Sequence, residues 1–314
     1  MIVEDIEDTL RLEAALLAKA TQNADGRAPK PLFILGSPRT GSTFLYQALA
    51  AGFELPYIAN LTNDHFARTP IVGLSVQAAW PAFDQINPES SYGKAKGLMQ
   101  PSEGSAVMQC WFGGGHPSEI VSTAPLPNAT GHLQATFLAA EVLFGRPLLV
   151  KNAWNCFRVR ALATLLPHAG FIWIRRDIAT SAASDLAARY LTKGSPVEWN
   201  SATPRNVESL RARPYWQQVT ENQFEFARAI ATDFAALAPG RCATLWFEDL
   251  CRDPGTVLLQ LGGQLAGLSG QTIQRILPAR QVAQATQLDS LDQQRLESYV
   301  ESEASRFAHC RYVR

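Results

Sequence analysis

The sequence predicts an α/β protein, a three-layer parallel sheet flanked by helices, and three stretches carry that prediction. Residues 32–36, LFILG, form a short buried-strand run that passes through a tight Gly/Pro/Ser turn into the helix-like TFLYQALAA. Residues 147–152, PLLVKN, begin a second unit, which continues through a helix over 158–166 to the strand FIWIR at 171–175 and a helix over 178–190. A long helical pattern over 216–237 then precedes a third apolar run, CATLWF at 242–247, bounded by Gly240 and Glu248. Strands that alternate with helices imply parallel pairing with both faces covered.

The 314 residues suit one domain built around one extended core. With 46% hydrophobic and 18% charged residues the chain is far from the signature of disorder. Lys plus Arg and Asp plus Glu both number 28, so no global basic field draws the chain to nucleic acid or an anionic membrane, and any anion site is local. The five cysteines are scattered and form no CxxC pair, which argues against a disulfide framework or zinc cage and for a reducing compartment. The first twenty residues are acidic and amphipathic, unlike a secretory signal, with Ile6, Leu10, Ala14 and Leu17 forming the docking face of a helix. No uncharged apolar run reaches the ~18 to 20 residues that span a bilayer. A cytoplasmic protein without membrane or nucleic-acid partners is expected. Residues 53–146 are poorly periodic and rich in Gly, Pro and aromatics. They read as a ligand-binding insert, whose Trp80, Trp111 and Phe112 are candidates for an apolar pocket or for core.

Gly36-Ser37-Pro38-Arg39-Thr40-Gly41-Ser42-Thr43 has the glycine spacing of a phosphate loop, set between a strand and a helix as such loops require. Its glycines let backbone N–H groups crowd around a phosphate at the helix N-terminus. In a nucleoside triphosphatase the residue after the second glycine is lysine; here it is Ser42, and the cation, Arg39, lies inside the loop. A P-loop nucleotide kinase or NTPase is therefore the weaker reading. A catalytically silent nucleotide-binding module is a third.

Here the chain resembles the sulfotransferase superfamily, whose 5′-phosphosulfate loop reads approximately Pro-Arg/Lys-Ser-Gly-Thr/Ser-Thr. Pro38 to Thr43 match it, with Thr40 as a conservative departure. A second motif, IRRDIATSAASDLAAR, places Arg176 at a strand end and Ser184 eight residues on, where the family holds the donor's 3′-phosphate. A forked guanidinium and a hydroxyl suit a dianion, and Asp177 suits the helix cap. LWFEDLCRDP resembles the family's late strand-turn-helix element, with Asp253 and Pro254 as N-cap and first turn. The resemblance implies a P-loop NTPase-like sulfotransferase fold, with 30–52 and 147–266 as the donor-binding core, 53–146 as an acceptor-binding insert and helices over 267–314.

It also implies 3′-phosphoadenosine 5′-phosphosulfate as co-substrate, bound by Ser37, Arg39, Thr40, Gly41, Ser42, Thr43, Phe44, Arg176 and Ser184. Phe44 sits where relatives carry an adenine-contacting aromatic, and a core role suits it equally. Lys151, at a strand end, matches a family lysine that approaches the sulfonate. With Arg39 it would neutralise charge in an in-line transfer to a small-molecule hydroxyl or amine, without metal. None of the five histidines shows metal-ligand spacing. The general base is where the match fails. The cytosolic branch has a His two residues past the lysine, which here is Ala153, and the tyrosylprotein branch has a Glu about twenty residues past the loop cation, near Ala59 and Asn60. Candidates from the insert are His65, Glu103 and His116.

Overall fold

The structure, a computed structural model, describes residues 2–87, 95–114, 122–200, 202–281 and 288–313. Its centre is a four-stranded parallel sheet of β1 (Leu32–Leu35), β2 (Leu149–Lys151), β3 (Gly170–Arg175) and β4 (Cys242–Trp246), in the order β2-β1-β3-β4. Leu32 lies opposite both Leu149 and Gly170, and Ile174 opposite Leu245. Side chains alternate across a pleat, so these continuously apolar strands furnish two cores. Phe33, Leu35, Val150, Phe171 and Trp173 enter one; Leu32, Ile34, Leu149, Ile172, Ile174 and Leu245 enter the other.

The second core is closed by α2 (Ser42–Phe53) and, after β4, by α11 (Phe247–Arg252) and α12 (Pro254–Gln264). The first is closed by α1 (Ile2–Gln22), by α4 (Pro70–Ala79), α5 (Ser105–Phe112) and α6 (Thr130–Phe144) of the insert, and by α7 (Val159–Leu165) and α10 (Tyr215–Phe234). Short α3 (Asn60–His65) joins the insert, and α9 (Val207–Arg211) leads into α10. Beyond them α8 (Ile178–Lys193) packs between α10 and α13 (Ser290–Ser302), which α14 (Ala304–Phe307) follows. The α10 to C-terminal junction is polar: buried Glu221 takes both Nη atoms of Arg306 at 2.6 Å and the Tyr299 hydroxyl at 2.5 Å. No helix among the described residues is long and apolar enough to cross a membrane.

Two readings of the sequence change. The insert, read as poorly periodic, builds four α-helices among its described residues, two of them of six and eight residues. Helices that short carry too few turns to register a period and depend on tertiary bonds, as where Asn63 Oδ1 accepts the Ala106 amide at the start of α5. The docking face of α1 is also rotated from the one expected. Ile6, Leu10 and Ala14 are exposed, while Glu13 and Ala20 are buried and Leu16 and Leu17 partly so. Glu13 causes the rotation: its carboxylate accepts the Ile71 and Val72 amides at the α4 N-terminus, at 3.3 and 3.0 Å. It also faces His132 Nε2 at 3.2 Å. His132 Nδ1 accepts the Trp111 indole N–H, which makes Nε2 the donor to Glu13. Apolar periodicity is blind to a carboxylate that seeks a helix N-terminus.

Glu13→Ala leaves those donors without their acceptor, and urea unfolding should show a loss of about 2 to 3 kcal/mol. Ile6→Ser, on the exposed face, should change stability by less than about 0.5 kcal/mol.

Candidate active site

Central β1, paired on both sides, delivers the glycine loop at its carboxyl end. Gly36 has no room for a side chain: a Cβ there would lie 2.6 Å from Thr40 Oγ1 and 2.9 Å from Ile174. The turn is tight because the Thr40 hydroxyl and amide both donate to the Ser37 carbonyl, at 2.7 and 3.3 Å. Arg39 and Gly41 have φ of 71° and 83°, the left-handed region. For Arg39 that conformation costs on the order of 1 to 2 kcal/mol. Its carbonyl is fixed by Arg176 Nη1 at 2.9 Å. Gly41 is the N-cap of α2 and supplies no capping side chain, so the first amides of that helix keep their affinity for an anion. Gly36 N–H donates to Cys156 Sγ at 3.3 Å, and the thiol returns a bond to the Gly36 carbonyl at 3.4 Å. Burial pushes that thiol up to about 12, so it stays protonated and able to donate.

Strand β3 brings Arg176 to the same edge, and α8 brings Ser184. Arg39 Nε donates to Ser184 Oγ at 3.2 Å, so the loop cation and the two residues read as a 3′-phosphate site form one cluster. Arg176 lies over the Phe247 ring at 4.9 Å, has a buried Nε without a hydrogen bond, and forms no ion pair among the described residues. Burial pulls its guanidinium below the ordinary range; nearby Glu248 opposes this and Arg39 adds to it. Two adjacent cations in a partly dehydrated cleft are the inverse of a phosphate. Asp177 caps α8, accepting the Ala179 and Thr180 amides at 3.0 and 3.2 Å. Ser37 and Thr40 are buried, as is Phe44, whose ring carries the Arg280 guanidinium at 4.1 Å.

A third group meets the loop from the far side. Lys151, buried at the end of β2, pairs with Glu103 of the insert and reaches Thr43 Oγ1 at 3.4 Å. Asn152, unnoticed in the sequence, fastens this pair: its Nδ2 donates to the Glu103 carbonyl at 3.2 Å and to Ser105 Oγ at 3.4 Å, while its Oδ1 accepts Trp154 N–H. Counting from Arg39 lands on Ala59 and Asn60. Ala59 forms an antiparallel bridge with Pro101, and Asn60 N–H donates to Gln100. Glu103 therefore lies two residues beyond the backbone that pairs with the counted position. His65 is exposed at the end of α3, and His116 lies outside the described residues. Trp80 is 72% exposed whereas Trp111 and Phe112 are buried, so the three do not line one pocket.

A parallel sheet whose carboxyl edge gathers a glycine loop and strand-end cations defines a class, the α/β proteins that hold anionic ligands at that edge. The chain belongs to the sulfotransferase family, which it matches over residues 31–266. Two solved structures share the fold: sulfotransferase STF9 from Mycobacterium avium, with 13% identity, a TM-score of 0.52 and coverage of 92% of this chain and 72% of that one, and a sulfotransferase from Alicyclobacillus acidocaldarius, with 13% identity, a TM-score of 0.50 and coverage of 91% and 98%. No curated protein sequence matches the chain.

A Cβ at position 41 would lie 2.1 Å from the Phe247 ring on a backbone of positive φ. Gly41→Ala should cost about 2 to 4 kcal/mol in urea unfolding. Adding Phe247→Ala should relieve the clash and leave the smaller backbone penalty.

Proposed function

We propose that this chain transfers the sulfonate group of 3′-phosphoadenosine 5′-phosphosulfate to a hydroxyl or amine of a small-molecule acceptor. The observation that carries the proposal is the convergence of Lys151, Glu103 and Thr43 on one side of the loop, opposite the Arg39, Ser184 and Arg176 cluster on the other. The fit to the donor rests on the half-buried Arg176, whose buried Nε lacks a partner, and on the helix start without a side-chain cap. The donor supplies the sulfonate, whose bond to the 5′-phosphate breaks as the acceptor atom bonds to sulfur. The loop amides, Ser42 and Thr43 hold the 5′-phosphate, and Arg176 with Ser184 holds the 3′-phosphate. Arg39 and Lys151 offset the charge that shifts onto the leaving phosphate, and Glu103 takes the acceptor proton. The pairing of Glu103 with Lys151 links the proton acceptor to the charge-stabilising cation in a single contact.

Adenosine 3′,5′-bisphosphate should raise the melting temperature of the chain. Arg176→Ala should weaken that ligand by roughly 10- to 100-fold while adenosine 5′-phosphate changes little, because a charge-assisted contact to one phosphate contributes roughly 1.5 to 3 kcal/mol. Equal losses for both nucleotides would falsify the 3′-phosphate assignment. Glu103→Gln should lower radiolabelled sulfonate transfer by about 10²- to 10⁴-fold with bisphosphate affinity unchanged. If transfer by the wild-type chain is absent while the bisphosphate still binds, the silent-module reading takes its place.

A further inference from the structure

The last residues of the chain return to the turn that carries Arg176, from beyond the region that matches the family, which ends at residue 266. Asp177 divides its carboxylate. Oδ1 caps α8, while Oδ2 accepts Arg311 Nε at 2.9 Å and the Tyr312 backbone N–H at 3.3 Å. The Asp177 amide in turn donates to Glu248 Oε1 at 3.1 Å. Tyr312 extends the clamp: its ring meets Trp246 edge-on at 5.4 Å, its hydroxyl donates to Asp249 Oδ1 at 2.6 Å, and it accepts from Arg252 Nη2 at 2.5 Å. One residue at the β3–α8 junction is thus tied at once to α8, α11 and the tail. Arg176 is its covalent neighbour, and among the described residues its side chain makes a single hydrogen bond, to the Arg39 carbonyl.

The geometry points to Arg311 and Tyr312 as positioning residues for the donor's 3′-phosphate: through Asp177 they fix the backbone from which Arg176 projects. This inference rests on the donor assignment above and adds to it a control element from outside the matched region. A side chain with a single bond is aimed mainly by its backbone, and a contact that needs both position and direction weakens when that backbone loosens. Neither tail residue needs to touch the ligand.

Calorimetry on the full chain with adenosine 3′,5′-bisphosphate and adenosine 5′-phosphate tests this. Arg311→Ala should weaken the bisphosphate by roughly fivefold, the scale of a partly exposed ion pair, and leave the monophosphate within about twofold. Arg311→Lys should recover part of the loss. Asp177→Asn keeps a cap acceptor but not the charge that Arg311 pairs with, and it should mimic Arg311→Ala. The double variant should be no weaker than the poorer single, since both act at one contact. Additive losses would mean that Arg311 meets the phosphate directly, and equal losses for both nucleotides a general loosening; either overturns the positioning role, as does no change at all. If Arg311→Ala fails to fold, Tyr312→Phe, which removes the hydroxyl bonds and keeps the ring, carries the same comparison. A wild-type chain that binds the two nucleotides equally removes the donor assignment and this inference together, whereas a preference for the bisphosphate that no tail variant alters removes this inference alone.

Discussion

Two guanidinium groups, of Arg39 and Arg176, are held side by side at the carboxyl end of the central strands. Like charges in a half-dry cleft repel, so the backbone must hold them by other means. It does so by giving Arg176 the carbonyl of Arg39 and giving Arg39 the hydroxyl of Ser184. The left-handed turn at Arg39 presents that carbonyl. Strain and repulsion stored at one place are tolerated only where the surroundings over-determine the geometry. Here the surroundings are the middle of a sheet whose neighbouring strands are apolar on both faces. An anion between the two groups converts the repulsion into attraction.

The opposite wall of the cleft is assembled from segments distant in sequence. Lys151 comes from the sheet and Glu103 from the insert, and Asn152 joins them by reaching the backbone of one from the neighbour of the other. A buried amide that satisfies both its ends is a rigid spacer. The insert is therefore attached to the sheet beside the glycine loop. Its helices are anchored elsewhere by the bonds of Glu13 and Asn63 to helix starts.

What was legible in the sequence follows from how locally each feature is encoded. The four strands are apolar runs closed by glycine or charge, and their order of helices and turns follows directly. The caps at Asp177 and Asp253 are one-residue signals with one-residue consequences. Gly36 to Thr43 is legible because a phosphate loop places all its parts in one stretch. Glu103 was visible only as a charge in a polar turn, since its partner Lys151 lies on another element. Asn152 and Cys156 carry no local signal: an asparagine after a strand and a buried cysteine have many uses, and only the fold shows that one fastens Glu103 and the other holds Gly36. The α1 helix was legible as a helix but not in its rotation, because Glu13 outweighs the exposed Ile6 and Leu10.

The contact between Gly41 and the Phe247 ring has a consequence in time. The loop and its helix are made early during synthesis, but the surface that shapes the turn at Gly41 belongs to the start of α11, after the last strand. A nascent chain that has completed β1 and α2 holds every loop residue and still lacks the wall against which the turn closes. The shape of the turn is thus set late, when β4 pairs with β3 and the Phe247 ring comes to lie against Gly41, long after the loop residues themselves have been made.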